Sequence, residues 1–164
     1  MHNISKYLLV LVIIFGSIGC DQKTKSIAKR NLEFSIPVQY CHGLVRLHYA
    51  ENEGGFLSIG SNLPPLFRRA MALLLSIVTV TGFIVLLFSL HKLTMVNLIS
   101  FSLLIAGASG NLIDRLFNQG RVIDFIIVGT NRLHTAVFNI ADVLLMAGTS
   151  MVVIVQLLQR RKTS

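Results

Sequence analysis

Residues 120–142 read GRVIDFIIVGTNRLHTAVFNIAD, and they place two carboxylates, Asp124 and Asp142, in apolar sequence. The apolar run around Asp142 continues to Leu158 and predicts a membrane-spanning helix. A carboxylate in such surroundings is costly to leave ionised and unpaired, so it is usually absent unless it is used. The link between the two acids contains glycine and asparagine, which allow the chain to turn back. We therefore expect Asp124 and Asp142 to lie against each other.

The composition indicates an integral membrane protein. Of the 164 residues, 53% are hydrophobic and only 13% are charged, and the mean hydropathy is +0.70. The formal charge of +8 could suggest a nucleic-acid partner. The basic residues are instead spread over loops and chain ends, and no groove-reading motif is present. We therefore exclude nucleic acid and expect these residues to lie near anionic lipid headgroups.

Four apolar stretches predict four transmembrane helices in one domain that covers residues 1–164. The expected spans are about 6–25, 70–90, 93–113 and 136–158. The first reaches spanning length only if the helix continues through Asp21 to Lys25. The two cysteines, Cys20 and Cys41, are too few for a disulfide framework, although a single bridge between them stays open.

The loop between the first two spans carries the pattern of a small sheet. Apolar and polar residues alternate over 45–49, as in a half-buried strand, and turn residues follow at 51–55. On local evidence alone, Asn52 and Gly54 are turn residues, and 56–59 form the returning strand. The sequence thus predicts an all-α membrane protein, with four transmembrane helices and a small β hairpin or curled sheet in the first extracytoplasmic loop.

Two groups of polar residues lie at helical spacing. Asp21 and Lys25 are four apart, with the acid first, and this spacing alone favours a modest surface ion pair. Asn111, Asp114 and Arg115 share one face at the end of the third span. They could be a solvated helix end or a polar network that orients a site, and spacing leaves both interpretations open.

Small and amide residues accompany the acids. Gly107 and Gly110 allow another helix to approach the third span closely. Asn139 lies three residues before Asp142, so the two are neighbours on one helix face. An amide in that position can hydrogen-bond the carboxylate and fix its rotamer.

Paired carboxylates suggest two chemistries for the chain. At ~3 Å two carboxylates hold one proton between them, which lets the pair activate water without a metal or cofactor. Asp124 and Asp142 would then be the catalytic pair of a membrane-embedded aspartic peptidase. The alternative is a small ion- or proton-coupled transporter in which both acids bind a cation, and the residues alone support the two about equally. A third interpretation is a non-catalytic lipoprotein or membrane scaffold whose first segment is cleaved after Gly19, because the sequence Gly19-Cys20-Asp21 looks like the cleavage region of a bacterial lipoprotein precursor.

Five motifs resemble, in the same order, those of the lipoprotein signal peptidases (signal peptidase II). They lie at residues 21–25 (DQKTK), 52–57 (NEGGFL), 110–115 (GNLIDR), 120–125 (GRVIDF) and 138–142 (FNIAD). The resemblance implies a multi-pass inner-membrane enzyme that removes signal peptides from diacylglyceryl-modified prolipoproteins, just before the lipidated cysteine. It implies that Asp124 and Asp142 are catalytic. The residues that it places around them are Asp21, Lys25, Asn52, Gly54, Asn111, Asp114, Arg115 and Asn139.

The chain departs from the family in its second motif, and its charges complicate the orientation. Where the family has two alanines and an aromatic residue after the motif glycine, this chain has Gly55, Phe56 and Leu57, which bears on substrate preference. The family implies cytoplasmic termini and an active site near the periplasmic face. Only 5 of the 15 basic residues would then face the cytoplasm, against the positive-inside rule. We give the motifs more weight than the charge count and expect a monomer.

Overall fold

The structure is a computed structural model that describes residues 3–53, 64–89, 94–130 and 132–160. These residues form four long helices and a sheet of three strands. In chain order the elements are α1 (Asn3–Leu32), β1 (Val38–Tyr40), β2 (Val45–Asn52), α2 (Pro65–Ser89), α3 (Met95–Phe117), β3 (Val122–Val128) and α4 (Ile140–Arg160).

Each of the four helices is long and apolar enough to cross a membrane. This finding confirms the prediction of four membrane-spanning helices. α1 continues to Leu32, seven residues beyond its expected end. The reason is that polar residues in its second half, among them Asp21 and Lys25, find partners inside the protein, so they do not end the helix.

The last helix begins later than the apolar pattern predicts. α4 starts at Ile140, whereas the sequence placed the start of the span near residue 136. The backbone of Phe138 is already engaged, since its carbonyl accepts from the amides of Phe125 and Ile126 and its amide donates to Ile126. Asp142 consequently lies in the first turn of α4, at the beginning of the span and not in its interior.

α3 is the central helix of the bundle. It packs against α1, α2 and α4. Of the 18 residues in its most apolar stretch 56% are buried, against 11–17% in the corresponding stretches of the other three helices. Glycines allow this packing. A Cβ at Gly107 would lie 2.5 Å from the carbonyl oxygen of Ala141, and one at Gly110 would lie 2.6 Å from Oδ2 of Asp21. The predicted close approach to α3 is therefore present on two sides.

Gly107→Ala is expected to lower the free energy of unfolding by about 1–3 kcal/mol, because overpacking a tight contact forces the backbone to move. The added methyl group would meet Ala141 on α4 and would also lie 2.9 Å from Cγ of Leu145. Thermal unfolding of the purified protein in detergent measures the loss. Gly82→Ala is the matched control, since a Cβ at Gly82 meets no packed neighbour within 4 Å. Equal stability of the two variants would contradict the tight α3–α4 contact.

The sheet is antiparallel, with the strand order β1-β2-β3. It confirms the prediction of a small sheet but differs from it in detail. The expected turn is wrong for Asn52, because this residue ends β2 and pairs with Val122 of β3. The expected returning strand, at residues 56–59, lies outside the described residues. β3 was not anticipated as a strand, and it carries Asp124 opposite Ala50.

An apolar cluster attaches the sheet to the end of α1. Ala28, Leu32 and Phe125 are buried in this cluster, and Leu47 and Ile126 pack against them. Because this contact joins β2 and β3 to the helix, it places Asp124 at the end of the bundle where α4 begins.

Candidate active site

The structure brings Asp124 and Asp142 together around one asparagine. Asp124 lies on β3 and is only 3% exposed, whereas Asp142 is half-buried in the first turn of α4. Nδ2 of Asn139 donates to Oδ1 of Asp124 at 2.7 Å, and the backbone amide of Asn139 donates to Oδ2 of Asp142 at 3.2 Å. Both carboxylates are therefore within hydrogen-bond reach of one residue.

Asn139 and Asp142 also cap the helix that carries them. The amide of Asp142 donates to Oδ1 of Asn139 at 3.0 Å, while Asp142 accepts from the amide of Asn139. This reciprocal pair of hydrogen bonds is a capping box, in which Asn139 is the residue just before the helix and Asp142 is its third residue. Such a cap stabilises a helix by roughly 1 kcal/mol. The same bonds fix the rotamer of Asp142, as its spacing from Asn139 predicts.

Asp124 is held in surroundings that favour its protonated form. Burial, and then the neighbouring charge of Asp142, raise the pKa of Asp124 from 3.8 to about 6. Two amides act in the opposite direction, because Asn139 and Asn52 both donate to the carboxylate, the latter at 3.2 Å from Nδ2 to Oδ2. A proton is thus retained by this carboxyl group closer to neutral pH than by an ordinary aspartate.

Asn111 links the pair to the rest of the bundle. Its Nδ2 donates to Oδ1 of Asp142 at 2.9 Å. Its Oδ1 accepts from Nζ of Lys25 at 3.0 Å and from Nδ2 of Asn139 at 3.1 Å. Two donors on the oxygen leave one orientation for this amide, with its NH2 group toward Asp142.

Lys25 lies in a buried group of charges behind the pair. Asp21 and Lys25 are 0% and 1% exposed, so the expectation of a surface ion pair is wrong. Nζ of Lys25 is 2.8 Å from Oδ2 of Asp21 and 3.0 Å from Oδ2 of Asp114. The burial follows from Gly110, where a side chain would collide with Asp21.

The two buried carboxylates each hold the backbone next to one member of the pair. Oδ1 of Asp21 accepts from the amide of Ala141 at 2.8 Å, one residue before Asp142. Oδ2 of Asp114 accepts from the amide of Ile123 at 2.9 Å, one residue before Asp124. Of the two interpretations of the α3 end, the polar network is therefore the right one.

Arg115 and Gly54 are the last two candidate residues. Nη1 of Arg115 donates to the carbonyl of Asn111 on its own helix at 3.3 Å, and Gly54 lies outside the described residues. Gln22 was not singled out from the sequence, yet its Nε2 donates to Oδ1 of Asp114 at 2.9 Å and to the carbonyl of Gly110 at 3.2 Å. The sequence signal that could have identified Gln22 was its position between Asp21 and Lys25.

Over the described ranges, no group of three or more His, Cys, Asp or Glu residues could hold a metal ion.

Comparisons with known proteins found a matching family, similar sequences and a similar fold. A family model described as signal peptidase (SPase) II matches residues 13–158. A lipoprotein signal peptidase from Geobacter metallireducens is 29% identical over 158 residues, which cover 96% of this chain and 96% of that protein. One from Francisella tularensis subsp. novicida is 31% identical over 158 residues, covering 96% and 95%. A bacterial membrane enzyme solved by the in meso method at 2.3 Å resolution has the same fold, with a TM-score of 0.82, 23% identity and coverage of 95% and 92%.

Proposed function

Because the chain belongs to the signal peptidase II family, we propose that Asp124 and Asp142 are its catalytic pair. The protein is a bacterial membrane aspartic peptidase that removes the signal peptides of prolipoproteins. The alternative of an ion-coupled transporter has no support in the comparisons. The observation that carries the proposal is the position of Asn139, which donates to both carboxylates at once.

The pair can perform hydrolysis by sharing one proton. One carboxylate, in its ionised form, takes a proton from water as the water oxygen attacks the scissile carbonyl carbon. The other carboxyl group donates its proton to the carbonyl oxygen. The tetrahedral intermediate then collapses as the first acid returns its proton to the leaving amine and the second acid recovers its own. The raised pKa of Asp124 supports this proposal, because one proton must stay on the pair at working pH.

The buried charges behind the pair serve to position it. Asp21 and Asp114 hold the backbone beside the two catalytic residues, and Lys25 forms an ion pair with each of these carboxylates. Because each catalytic residue is thus fixed by side chain and by backbone, little reorganisation is needed when water and substrate enter.

The substrate in this proposal is a diacylglyceryl-modified prolipoprotein, which is cut just before the lipidated cysteine. Asp142 lies where α4 starts, so the pair is at one end of the bundle and not in its middle. A signal-peptide helix that stays in the bilayer can present a bond at this level from the side. One chain supplies both acids and their hydrogen-bond partners, and we propose that the monomer is active.

The proposal is tested by cleavage of a lipidated precursor peptide with the purified protein and with variants of each aspartate. Mass spectrometry identifies the fragment that ends just before the lipidated cysteine.

The proposed topology places both termini in the cytoplasm and the pair near the periplasmic face of the inner membrane. An even number of spans puts the two ends of the chain on the same side. A reporter enzyme that works only in the cytoplasm is expected to be active when it is fused after Arg160. The same reporter fused after Leu133, which is exposed between β3 and α4, is the control and is expected to be inactive. The reverse pattern would overturn this orientation and would agree with the positive-inside rule, which places the side with more basic residues in the cytoplasm.

A further inference from the structure

The pairing of β2 with β3 separates two sets of polar residues onto opposite faces. Side chains alternate along a strand, and directly opposed residues share a face. Ala50 is opposite Asp124, so Asn52, two residues on, lies on the same face as the catalytic aspartate. Glu51 and Glu53, which flank Asn52 in sequence, point to the other face, as does Arg121 just before β3.

On that other face, one guanidinium group joins both glutamates. Nη1 of Arg121 is 2.8 Å from Oε2 of Glu51, and Nη2 is 3.0 Å from Oε1 of Glu53. We call Glu51, Glu53 and Arg121 the back-face clamp. Two residues reinforce it, since the hydroxyl of Tyr49 donates to Oε1 of Glu51 at 2.8 Å and Arg68 pairs with Glu53.

The clamp is partly shielded from water. Its side chains are 24–35% exposed. The hydrogen bond from Arg121 holds the pKa of Glu51 below its usual range. The planar fork of arginine suits two carboxylates, whereas a lysine presents a single point charge.

The strand end needs such support. The register between β2 and β3 shifts between Leu47 and Ala50, and an irregularity of this kind interrupts the ladder of backbone hydrogen bonds. Asn52 is the last residue of β2, and it reaches Asp124 at 3.2 Å, toward the long end of the normal range. A small displacement of the strand end would therefore break this bond.

We propose that Arg121 is a positioning residue, which maintains the hydrogen bond from Asn52 to Asp124. It does so by pairing with Glu51 and Glu53, the two neighbours of Asn52, on the opposite face of the sheet. This inference rests on the proposed catalytic role of Asp124, and it concerns residues that do not contact the reacting atoms.

Arg121→Gln is expected to lower kcat about tenfold with KM nearly unchanged, the effect of one misplaced hydrogen bond in the transition state. Arg121→Lys should recover part of the rate, because its one charge can still hold one glutamate. Arg132→Gln is the matched control, since Arg132 is exposed in the following loop, and it should keep the parent rate. In protein that already carries Asn52→Ala, Arg121→Gln should cause no further loss.

A second readout does not depend on catalysis. The carboxyl stretch of Asp124 in the infrared follows its titration, and Asn52 lowers the pKa of this group. Arg121→Gln should therefore move the titration of Asp124 to higher pH, and Asn52→Ala should move it in the same direction. An unmoved titration, or a tenfold loss that persists in the Asn52→Ala background, would overturn the inference. If instead the titration moves but Asp124→Asn still cleaves substrate, the proposed function fails and the positioning role of Arg121 stands.

Discussion

Asp124→Asn and Asp142→Asn are each expected to slow cleavage of a lipidated precursor peptide by at least about a thousandfold. An amide has nearly the shape of a carboxylate but can neither take a proton from water nor hold the shared one. Each change also loses one accepted hydrogen bond, because each carboxylate accepts on both oxygens. That loss costs roughly 1 kcal/mol, so the variants should remain folded and inserted. The rate is measured from the fragment that ends just before the lipidated cysteine.

Glu33→Gln is the matched control for this loss, since Glu33 belongs to neither the site nor the back-face clamp, and it should retain the parent rate. The double variant of Asp124 and Asp142 should be no slower than either single variant, because two groups that act on one water fail together. Cleavage by either single variant within about tenfold of the parent rate would refute the pair.

Lys25→Met is expected to lower the free energy of unfolding by about 3–5 kcal/mol, the usual consequence of removing one partner from a buried ion pair. Methionine fills much of the space of lysine but leaves the carboxylates of Asp21 and Asp114 buried without the cation that now contacts both. Both carboxylates also hold backbone amides next to the catalytic residues. Activity should therefore fall with stability, and thermal unfolding in detergent measures the stability loss.

Two further variants separate the charge effect from a packing effect. Lys23→Met changes an exposed lysine on the same helix, and its stability should stay within about 0.5 kcal/mol of the parent. Combining Lys25→Met with Asp21→Asn and Asp114→Asn removes all three charges and should recover part of the stability. If Lys25→Met proved as stable as Lys23→Met, the buried charges would not have the structural role assigned to them.

The sequence contained enough to predict the four spans and to single out the two acids. Spans follow from hydropathy along the chain, because the bilayer selects length and apolarity directly. Asp124 and Asp142 stood out because an acid in apolar sequence is unusual. Neither inference needed contacts between distant residues, and this is why both could be made.

What the sequence did not reveal depends on such contacts. A short apolar run such as residues 122–128 does not indicate by itself whether it forms a strand, and β3 forms by pairing with β2, far away in the chain. The burial of Asp21 and Lys25 depends on the close approach of α1 to α3 at Gly110. The two residues therefore had the spacing of an ordinary surface pair, although they lie among the most buried side chains of the protein.

The decisive measurement is the titration of Asp124 with and without the charge of Asp142, followed by the infrared carboxyl stretch that Asp124→Asn abolishes. Burial and the charge of Asp142 raise the pKa of Asp124 to about 6. Asp142→Asn removes the negative neighbour, and the ionised form of Asp124 then becomes easier to reach. The titration midpoint should accordingly lie near pH 6 in the parent protein and at lower pH in Asp142→Asn. An identical midpoint in both proteins would mean that the two carboxyl groups do not share a proton.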